Sequence, residues 1–133
     1  MKLDTVVGIK PLSEDFVLPT QAHLGDACFD ARTVDEGTLH PGDTKLFSLG
    51  FAVALEHGWE MQVRPRSGLA AKHGVTVLNT PGTIDSGYRG ECKVMLINTG
   101  TAPFTVNKGE RVCQLAIKRV PTVGFEILDE LSE

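Results

Sequence analysis

The chain has 133 residues, of which 41% are apolar and 23% charged, and its formal net charge is −4. This length suits a single domain that buries a core without metal or disulfide support, and the composition excludes global disorder. No apolar run is long enough to cross a membrane, and the first 16 residues lack the apolar stretch of a signal peptide. We therefore expect a cytoplasmic protein without membrane contacts.

Positive charge is concentrated in the middle of the chain. Residues 64–93 contain five Lys or Arg residues and two acidic residues, a local +3, so the remainder carries −7. A net acidic chain argues against nucleic-acid binding, whereas a basic centre suits a small and highly anionic ligand. A solvated surface of mixed charge would have the same distribution.

Three cysteines, Cys28, Cys92 and Cys113, are widely spaced along the chain. An odd number at such spacing fits neither a disulfide framework nor a zinc site. We expect reduced thiols buried in strands.

Short strand patterns dominate the sequence. In chain order, strands are predicted at Thr5–Lys10, Thr44–Leu49, Phe51–Leu55, Trp59–Arg64, Val75–Leu78, Val94–Ile97, Phe104–Val106 and Val112–Arg119. The Trp59 and Val112 segments alternate with a period of two, whereas Val94–Ile97 is continuously apolar and is expected to be buried on both faces. Only Ser67–Lys72 has a helical pattern. Many short strands without crossover helices indicate an all-β sandwich or barrel, in one domain spanning residues 1–133.

The segment Arg64–Ala70, with the sequence RPRSGLA, ends a strand and begins the short helix. Ser67 is a suitable N-cap, Gly68 lets a ligand approach the backbone, and Arg66 offers a planar fork for phosphate oxygens. Together with free backbone N–H groups these residues would form a phosphate cradle. An ordinary capped turn with a surface arginine has the same pattern.

A second segment, Asn79–Glu91, has strands at both ends and is predicted to form an elaborate hairpin. Hairpin backbone can hydrogen-bond the edge of a flat base, Asp85 could act as a general base, and the Tyr88 ring could lie against a sugar. The structural alternative makes Asp85 a turn residue and Tyr88 a core residue.

Two further segments contain single polar candidates. Asp30, at the end of Asp26–Asp30, could hold Mg²⁺ through water, because Mg²⁺ keeps much of its hydration shell. Gln114 is a polar residue in the strand-like run Lys108–Leu115. A solvated aspartate and an outward-facing strand position are the alternatives.

Taken together in this order, the four segments resemble the trimeric dUTPase family. The resemblance rests mainly on PRSGLA at Pro65–Ala70 and GTID-x-GYRGE at Gly82–Glu91. Asp26–Asp30 is similar to the family's first motif, with Cys28 in place of a usual glycine, and Gly109–Leu115 is similar to its fourth. The resemblance implies a jelly-roll-like β-sandwich that forms a homotrimer with active sites between subunits. It also implies Mg²⁺-dependent hydrolysis of dUTP to dUMP and diphosphate.

The resemblance also implies roles for individual residues. Asp85 would activate the water that attacks the α-phosphorus, and Tyr88 would stack on deoxyribose and exclude a 2′-hydroxyl. Asp30 would be an outer-shell anchor for Mg²⁺ and its waters. The phosphate contacts, supplied from a neighbouring subunit, would be Arg66, Ser67, Gly68 and Gln114. The other nucleotide contacts would be Asn79, Gly82, Thr83, Ile84 and Met95, with Asn79 and the backbone of residues 82–84 reading uracil.

Two alternatives to this function remain open at the level of sequence. The family normally ends in a Gly-rich arm, and residues 126–133 would begin that arm without its motif. This departure predicts weak activity for the chain as written, and it supports a non-catalytic dUTP-binding or regulatory protein as one alternative. The other is a dCTP deaminase, whose relatives have a catalytic glutamate where this sequence has Met95.

Overall fold

The computed structural model describes residues 2–133, which form ten strands and one short helix. The elements are β1 (Gly8–Pro11), β2 (Phe29–Arg32), β3 (Gly37–Leu39), β4 (Thr44–Ala54), β5 (Trp59–Arg64), α1 (Ser67–His73), β6 (Val75–Val77), β7 (Gly82–Ile84), β8 (Glu91–Asn98), β9 (Phe104–Val106) and β10 (Arg111–Arg119).

Two four-stranded antiparallel sheets form the sandwich. One has the strand order β1-β4-β8-β6 and the other β2-β10-β5-β7, while β3 and β9 form a separate two-stranded pair. Strands adjacent in a sheet are thus mostly distant in sequence, as expected for a sandwich with long return connections. The predicted all-β sandwich is confirmed.

The core lies between the inner faces of the two sheets. Alternate side chains of each strand point inward because successive residues of a strand face opposite sides. Fully buried members from the first sheet include Phe47, Phe51, Val94 and Leu96, and those from the second include Met61, Val63 and Leu115. Within residues 2–133 no helix combines the length and apolar character that crossing a bilayer requires.

A glycine keeps β4 continuous where the sequence predicts two strands. Thr44–Ala54 is one strand of 11 residues, and the pairing with β8 shifts register between Ser48 and Ala52. Gly50 lies in this irregular stretch with φ of +79°, a conformation that side-chain-bearing residues rarely adopt. The strand is therefore bulged at Gly50 and does not end there.

Burial along β8 corrects the expectation that Val94–Ile97 is covered on both faces. Val94 and Leu96 are buried, whereas Met95 and Ile97 on the opposite face are only half-buried. The run is continuously apolar, but in a single copy of the chain only one of its faces meets the core.

The start of α1 also differs from expectation. Arg66 occupies the N-cap position with extended backbone, Ser67 is the first helical residue, and no side chain caps the helix. Ser67 is therefore not the N-cap. The helix ends at Gly74, whose φ is +68° and whose N–H bonds to carbonyls of the last turn.

Three strands, β2, β3 and β7, were missed by the sequence patterns. Each has only three or four residues, and none has an apolar residue at both ends, as the equally short β6 and β9 have. The cysteine expectation holds for Cys92 and Cys113, which are buried in strands with free thiols. Cys28 departs from it, because this thiol is half-buried and precedes β2.

Candidate active site

The hairpin that begins at Asn79 has its first strand on the edge of a sheet. Gly82, Thr83 and Ile84 of β7 pair with Val63, Gln62 and Met61 of β5, and β7 has no strand on its other side. Backbone N–H and C=O groups along that outer side are therefore available to another partner. The predicted hairpin reader of a flat base has the backbone that this role requires.

Close packing accounts for glycine at position 82. A Cβ atom built on Gly82 would lie 3.3 Å from Cβ of Val63 and 3.5 Å from the Asn79 amide nitrogen. The structure thus places the Asn79 side chain beside β7, as expected if both contribute to one binding surface. A side chain at position 82 would require Val63 to shift by a few tenths of an ångström.

Asp85 and Tyr88 are joined by a tight turn directly after β7. The Tyr88 N–H donates to the Asp85 carbonyl over 3.1 Å, and the Tyr88 hydroxyl donates to the Glu91 carbonyl over 3.0 Å. Tyr88 is 46% exposed, so it is not the core residue of the structural alternative.

A cavity of about 250 Å³ opens between this turn and the start of β8. It is lined by Thr83, Ile84, Asp85, Tyr88, Glu91, Cys92 and Lys93. The exposed Asp85 carboxylate therefore borders a space that is large enough for part of a ligand and remains open to water. Met95 is half-buried on the same outer face of β8 but does not line this cavity.

Polar side chains from three neighbouring strands form a second cluster. Gln114 of β10 lies directly between Asp30 of β2 and Arg64 of β5. The Gln114 amide donates to one Asp30 carboxylate oxygen over 3.3 Å, and an Arg111 nitrogen lies 3.5 Å from the other. Asp30, whose side chain is only 10% exposed, thus fixes both residues from β10.

Arginines dominate the charge of this second cluster. Arg66 donates to the Arg111 carbonyl over 3.2 Å. This bond connects the start of α1 to β10, the strand that contains Gln114. Arg64 is oriented by two bonds to the Gln62 amide oxygen, at 2.8 and 3.1 Å. Only Arg111 pairs with the Asp30 carboxylate, and in the part of the chain described, neither Arg64 nor Arg66 has an acidic partner. Such a surplus of guanidinium groups suits an anion.

The predicted site residues fall into two separate groups in one copy of the chain. Asn79, Asp85 and Tyr88 lie on the edge hairpin with residues 82–84. Asp30, Arg66 and Gln114 lie in the other cluster, and exposed Ser67 and Gly68 begin the adjoining helix. No hydrogen bond found among residues 2–133 connects the two groups.

Sequence patterns overlooked several charged residues of both groups. Arg64 and Arg111 belong to the arginine cluster, and Glu91 and Lys93, paired at 3.7 Å, line the hairpin cavity. Arg89 donates hydrogen bonds to two backbone carbonyls of the hairpin turn. The excess of positive charge between Arg64 and Lys93 is the sequence signal that pointed to most of them. It does not show which of these charged residues belong to the site.

A larger cavity of about 430 Å³ lies between the sheets at the β1 edge. Its lining is mainly apolar and includes Val7, Phe29, Trp59 and Ile117. Because none of the predicted site residues borders it, we assign it no part in the chemistry.

A directly bound metal ion requires several ligating side chains at one place. Among the described residues, no three His, Cys, Asp or Glu side chains come together as a coordination sphere. Both oxygens of Asp30 already have protein partners. This arrangement does not suit a directly coordinated resident metal, but it is compatible with an outer-shell contact to a hydrated ion that arrives with an anionic ligand.

Fold and site together define the class of protein: a small antiparallel β-sandwich with an acidic edge hairpin and a separate arginine cluster. The sequence matches the family model described as dUTPase over residues 14–133. The chain therefore belongs to the dUTPase family.

Relatives named deoxyuridine 5'-triphosphate nucleotidohydrolase share much of the sequence. The protein of Clostridioides difficile is 48% identical over 125 residues, which cover 94% of this chain and 87% of the relative. That of Trichodesmium erythraeum is 48% identical over 124 residues, covering 93% and 87%.

Solved structures share the fold at lower identity. A mutant dUTPase from phage phi11 of S. aureus, described for its coordination of a structural Mg(II) ion, has a TM-score of 0.86 at 21% identity. A mutant dUTPase of Staphylococcus bacteriophage 80alpha with dUpNHpp has a TM-score of 0.87 at 21% identity. Each comparison covers 96% of this chain and 99% of the phage protein.

Proposed function

We propose that this chain is a dUTP diphosphatase, which hydrolyses dUTP to dUMP and diphosphate at sites assembled from neighbouring subunits. The observation that carries the proposal is the exposed hairpin, where Asp85 and Tyr88 share one tight turn beside an unpaired strand edge. Membership of the dUTPase family and the names of relatives 48% identical support the same reaction.

The base is read by backbone groups of β7. A fixed pattern of donors and acceptors that matches uracil leaves groups unpaired against cytosine, which costs affinity. Asn79 supplies an amide beside Gly82. A hairpin that closes tightly on uracil excludes the thymine methyl group by steric clash.

Tyr88 selects the sugar. Its hydroxyl is held by the Glu91 carbonyl, so the ring has a fixed position from which to stack on deoxyribose. A ribose would bring an additional hydroxyl against this ring. We infer that the enzyme discriminates against UTP by this contact.

The triphosphate is bound by Arg66, Ser67, Gly68 and Gln114, with Asp30 fixing the Gln114 amide. Mg²⁺ bound to dUTP would neutralise phosphate charge and fix the conformation of the triphosphate. The Asp30 carboxylate, which is held in place by Gln114 and Arg111, would contact that ion through water. Arg66 and Gln114 hold the phosphate oxygens and thereby aim the α-phosphorus at the hairpin of another subunit.

Asp85 performs the proton transfer. Its carboxylate accepts a proton from a bound water molecule, and the water oxygen forms a bond to the α-phosphorus. The bond from this phosphorus to the α–β bridging oxygen breaks, and diphosphate leaves in line with the attack. The chemistry needs no covalent enzyme intermediate, because positioning and charge neutralisation supply the acceleration.

A homotrimer explains why the two groups of site residues are apart in one chain. The outer face of the first sheet exposes Leu46 and Leu78 beside half-buried Met95, which forms an apolar surface where an isolated sandwich would be polar. The segment after β10 exposes Phe125 and Ile127 almost completely. Both surfaces are of the kind that contacts between subunits bury.

The decisive test is diphosphate release from dUTP with Mg²⁺, with dCTP and dTTP measured in parallel. Wild-type protein should hydrolyse dUTP, and Asp85→Asn should bind it while losing about 100-fold or more in kcat. Binding without turnover in the wild type, and also in a chain extended by the family's Gly-rich arm, would instead establish a non-catalytic dUTP-binding protein. Ammonia release from dCTP would establish a deaminase.

A further inference from the structure

Arg89 fastens the turn that carries Asp85 and Tyr88. One nitrogen of its guanidinium group donates to the Ser86 carbonyl over 2.6 Å and to the Tyr88 carbonyl over 3.1 Å. These two carbonyls flank Gly87. The guanidinium group therefore bridges the turn across its glycine.

Little else restrains this part of the hairpin. No atom lies within 4 Å of the place where a Gly87 side chain would begin, so the residue has neither packing nor a Cβ atom to limit its dihedral angles. Asp85 and Tyr88 are both exposed and contribute nothing to the buried core. Hydrogen bonds within the turn, and not packing, therefore fix the Asp85 side chain relative to the Tyr88 side chain.

The bonds from Arg89 are suited to this task. A hydrogen bond from a charged donor is stronger than one between neutral groups, and the planar fork limits the directions in which it points. In the described residues Arg89 has no carboxylate partner that would draw it away from the turn.

We propose that Arg89 is a positioning residue, which holds the Asp85 carboxylate and the Tyr88 ring in the relative orientation needed for turnover and for sugar selection. The proposal rests on the proposed function of Asp85 and Tyr88. Arg89 touches neither substrate nor water in this role, because it acts on the backbone carbonyls of the turn.

The kinetic test compares Arg89→Ala and Arg89→Lys with wild type on dUTP and UTP. Arg89→Ala should lower kcat for dUTP about tenfold while KM changes less, because β7, which reads the base, is left intact. The preference for dUTP over UTP in kcat/KM should fall about tenfold as well, because the Tyr88 ring loses its fixed place against the sugar. Arg89→Lys should recover part of both, since an ammonium group reaches a carbonyl without the rigid fork.

Arg119→Ala is the matched control, because it removes another exposed arginine, which lies over the Trp59 ring, pairs with Asp4 and makes no hydrogen bond to the turn among the described residues. It should leave kcat and the preference for dUTP unchanged. Equal kcat and equal preference in wild type and Arg89→Ala would overturn the proposal. A raised KM with an unchanged kcat would also overturn it.

A measurement without substrate separates this proposal from the proposed function. The Tyr88 N–H is bonded to the Asp85 carbonyl, so its hydrogen exchange reports the closed turn. Arg89→Ala should speed this exchange about tenfold and leave the exchange of β8 amides unchanged. Unchanged exchange at Tyr88 would overturn the proposal even in an active enzyme. Absence of dUTP hydrolysis in the wild type would count only against the proposed function.

Discussion

Two buried cysteines of this protein have pKa values far above the ordinary value for a thiol. Burial raises the pKa of the Cys92 thiol to about 11, with an additional increase from the Glu91 carboxylate. Burial likewise raises the pKa of Cys113 to about 12, and the nearby Asp30 and Cys92 add to the increase. Both thiols are therefore protonated and unreactive at neutral pH.

These two thiols predict a loss of stability at alkaline pH. An unfolded cysteine ionises near its ordinary pKa of about 8.5, whereas the folded protein keeps the proton. The unfolded state thus binds fewer protons as pH rises above about 9, and the free energy of unfolding falls. Urea unfolding at pH 7.5, 8.5 and 9.5 should show wild type losing more stability than Cys92→Ala. Parallel pH profiles for the two proteins would contradict this account.

At the scale of elements, the Asn98 side chain connects the end of β8 to β3 and to the loop that follows β8. The side chain is fully buried, and its amide donates to the Leu39 and Ala102 carbonyls over 2.9 Å each. Its oxygen accepts the Gly100 N–H over 2.9 Å. β3 is thereby fixed to β8 although the two belong to different sheets.

Asn98→Ala should lower the free energy of unfolding by about 3 kcal/mol, because the buried Leu39 carbonyl loses its donor and the side chain leaves a cavity in the core. Asn107→Ala is a fitting comparison, since this asparagine bonds to Glu110 at the surface. It should cost less than about 1 kcal/mol. Urea denaturation at one protein concentration measures both, and similar losses for the two variants would show that burial of Asn98 is not what matters.

For the whole molecule, the separation of the two groups of site residues predicts complementation between inactive variants. Arg66→Ala and Asp85→Asn affect different groups, so a mixed trimer contains some sites with neither defect. Random mixing of equal amounts should restore about a quarter of wild-type activity, given one residue from each of two subunits. The assay is dUTP hydrolysis after joint refolding.

A second mixture controls for this result. Asp85→Asn and Tyr88→Ala lie on the same hairpin, so every hairpin in their mixed trimers keeps one defect. This mixture should therefore show no more dUTP hydrolysis than the average of the two variants measured separately. Equal recovery in both mixtures, or recovery in neither, would mean that the site is not shared between subunits.

Local sequence was sufficient for strands with a strong period or clear ends. Trp59–Arg64 and Phe104–Val106 match their predicted bounds, because alternation or flanking turn residues mark them. β7 was missed as a strand because its three residues resemble loop, and only pairing with β5 makes them extended. The bulge at Gly50 likewise depends on pairing with β8 across the break in the pattern.

The sequence by itself determined the fold class, the family resemblance and the identities of the candidate residues, since these depend on periodicity and on residues adjacent in the chain. Only the tertiary structure decided that Asp30 holds Gln114, that Arg66 reaches Arg111, and that Arg89 bridges the turn beside Asp85. The first two contacts join residues far apart in sequence, and which strands become neighbours is set by packing of the whole core. Contacts of that kind leave no periodic signal in the chain.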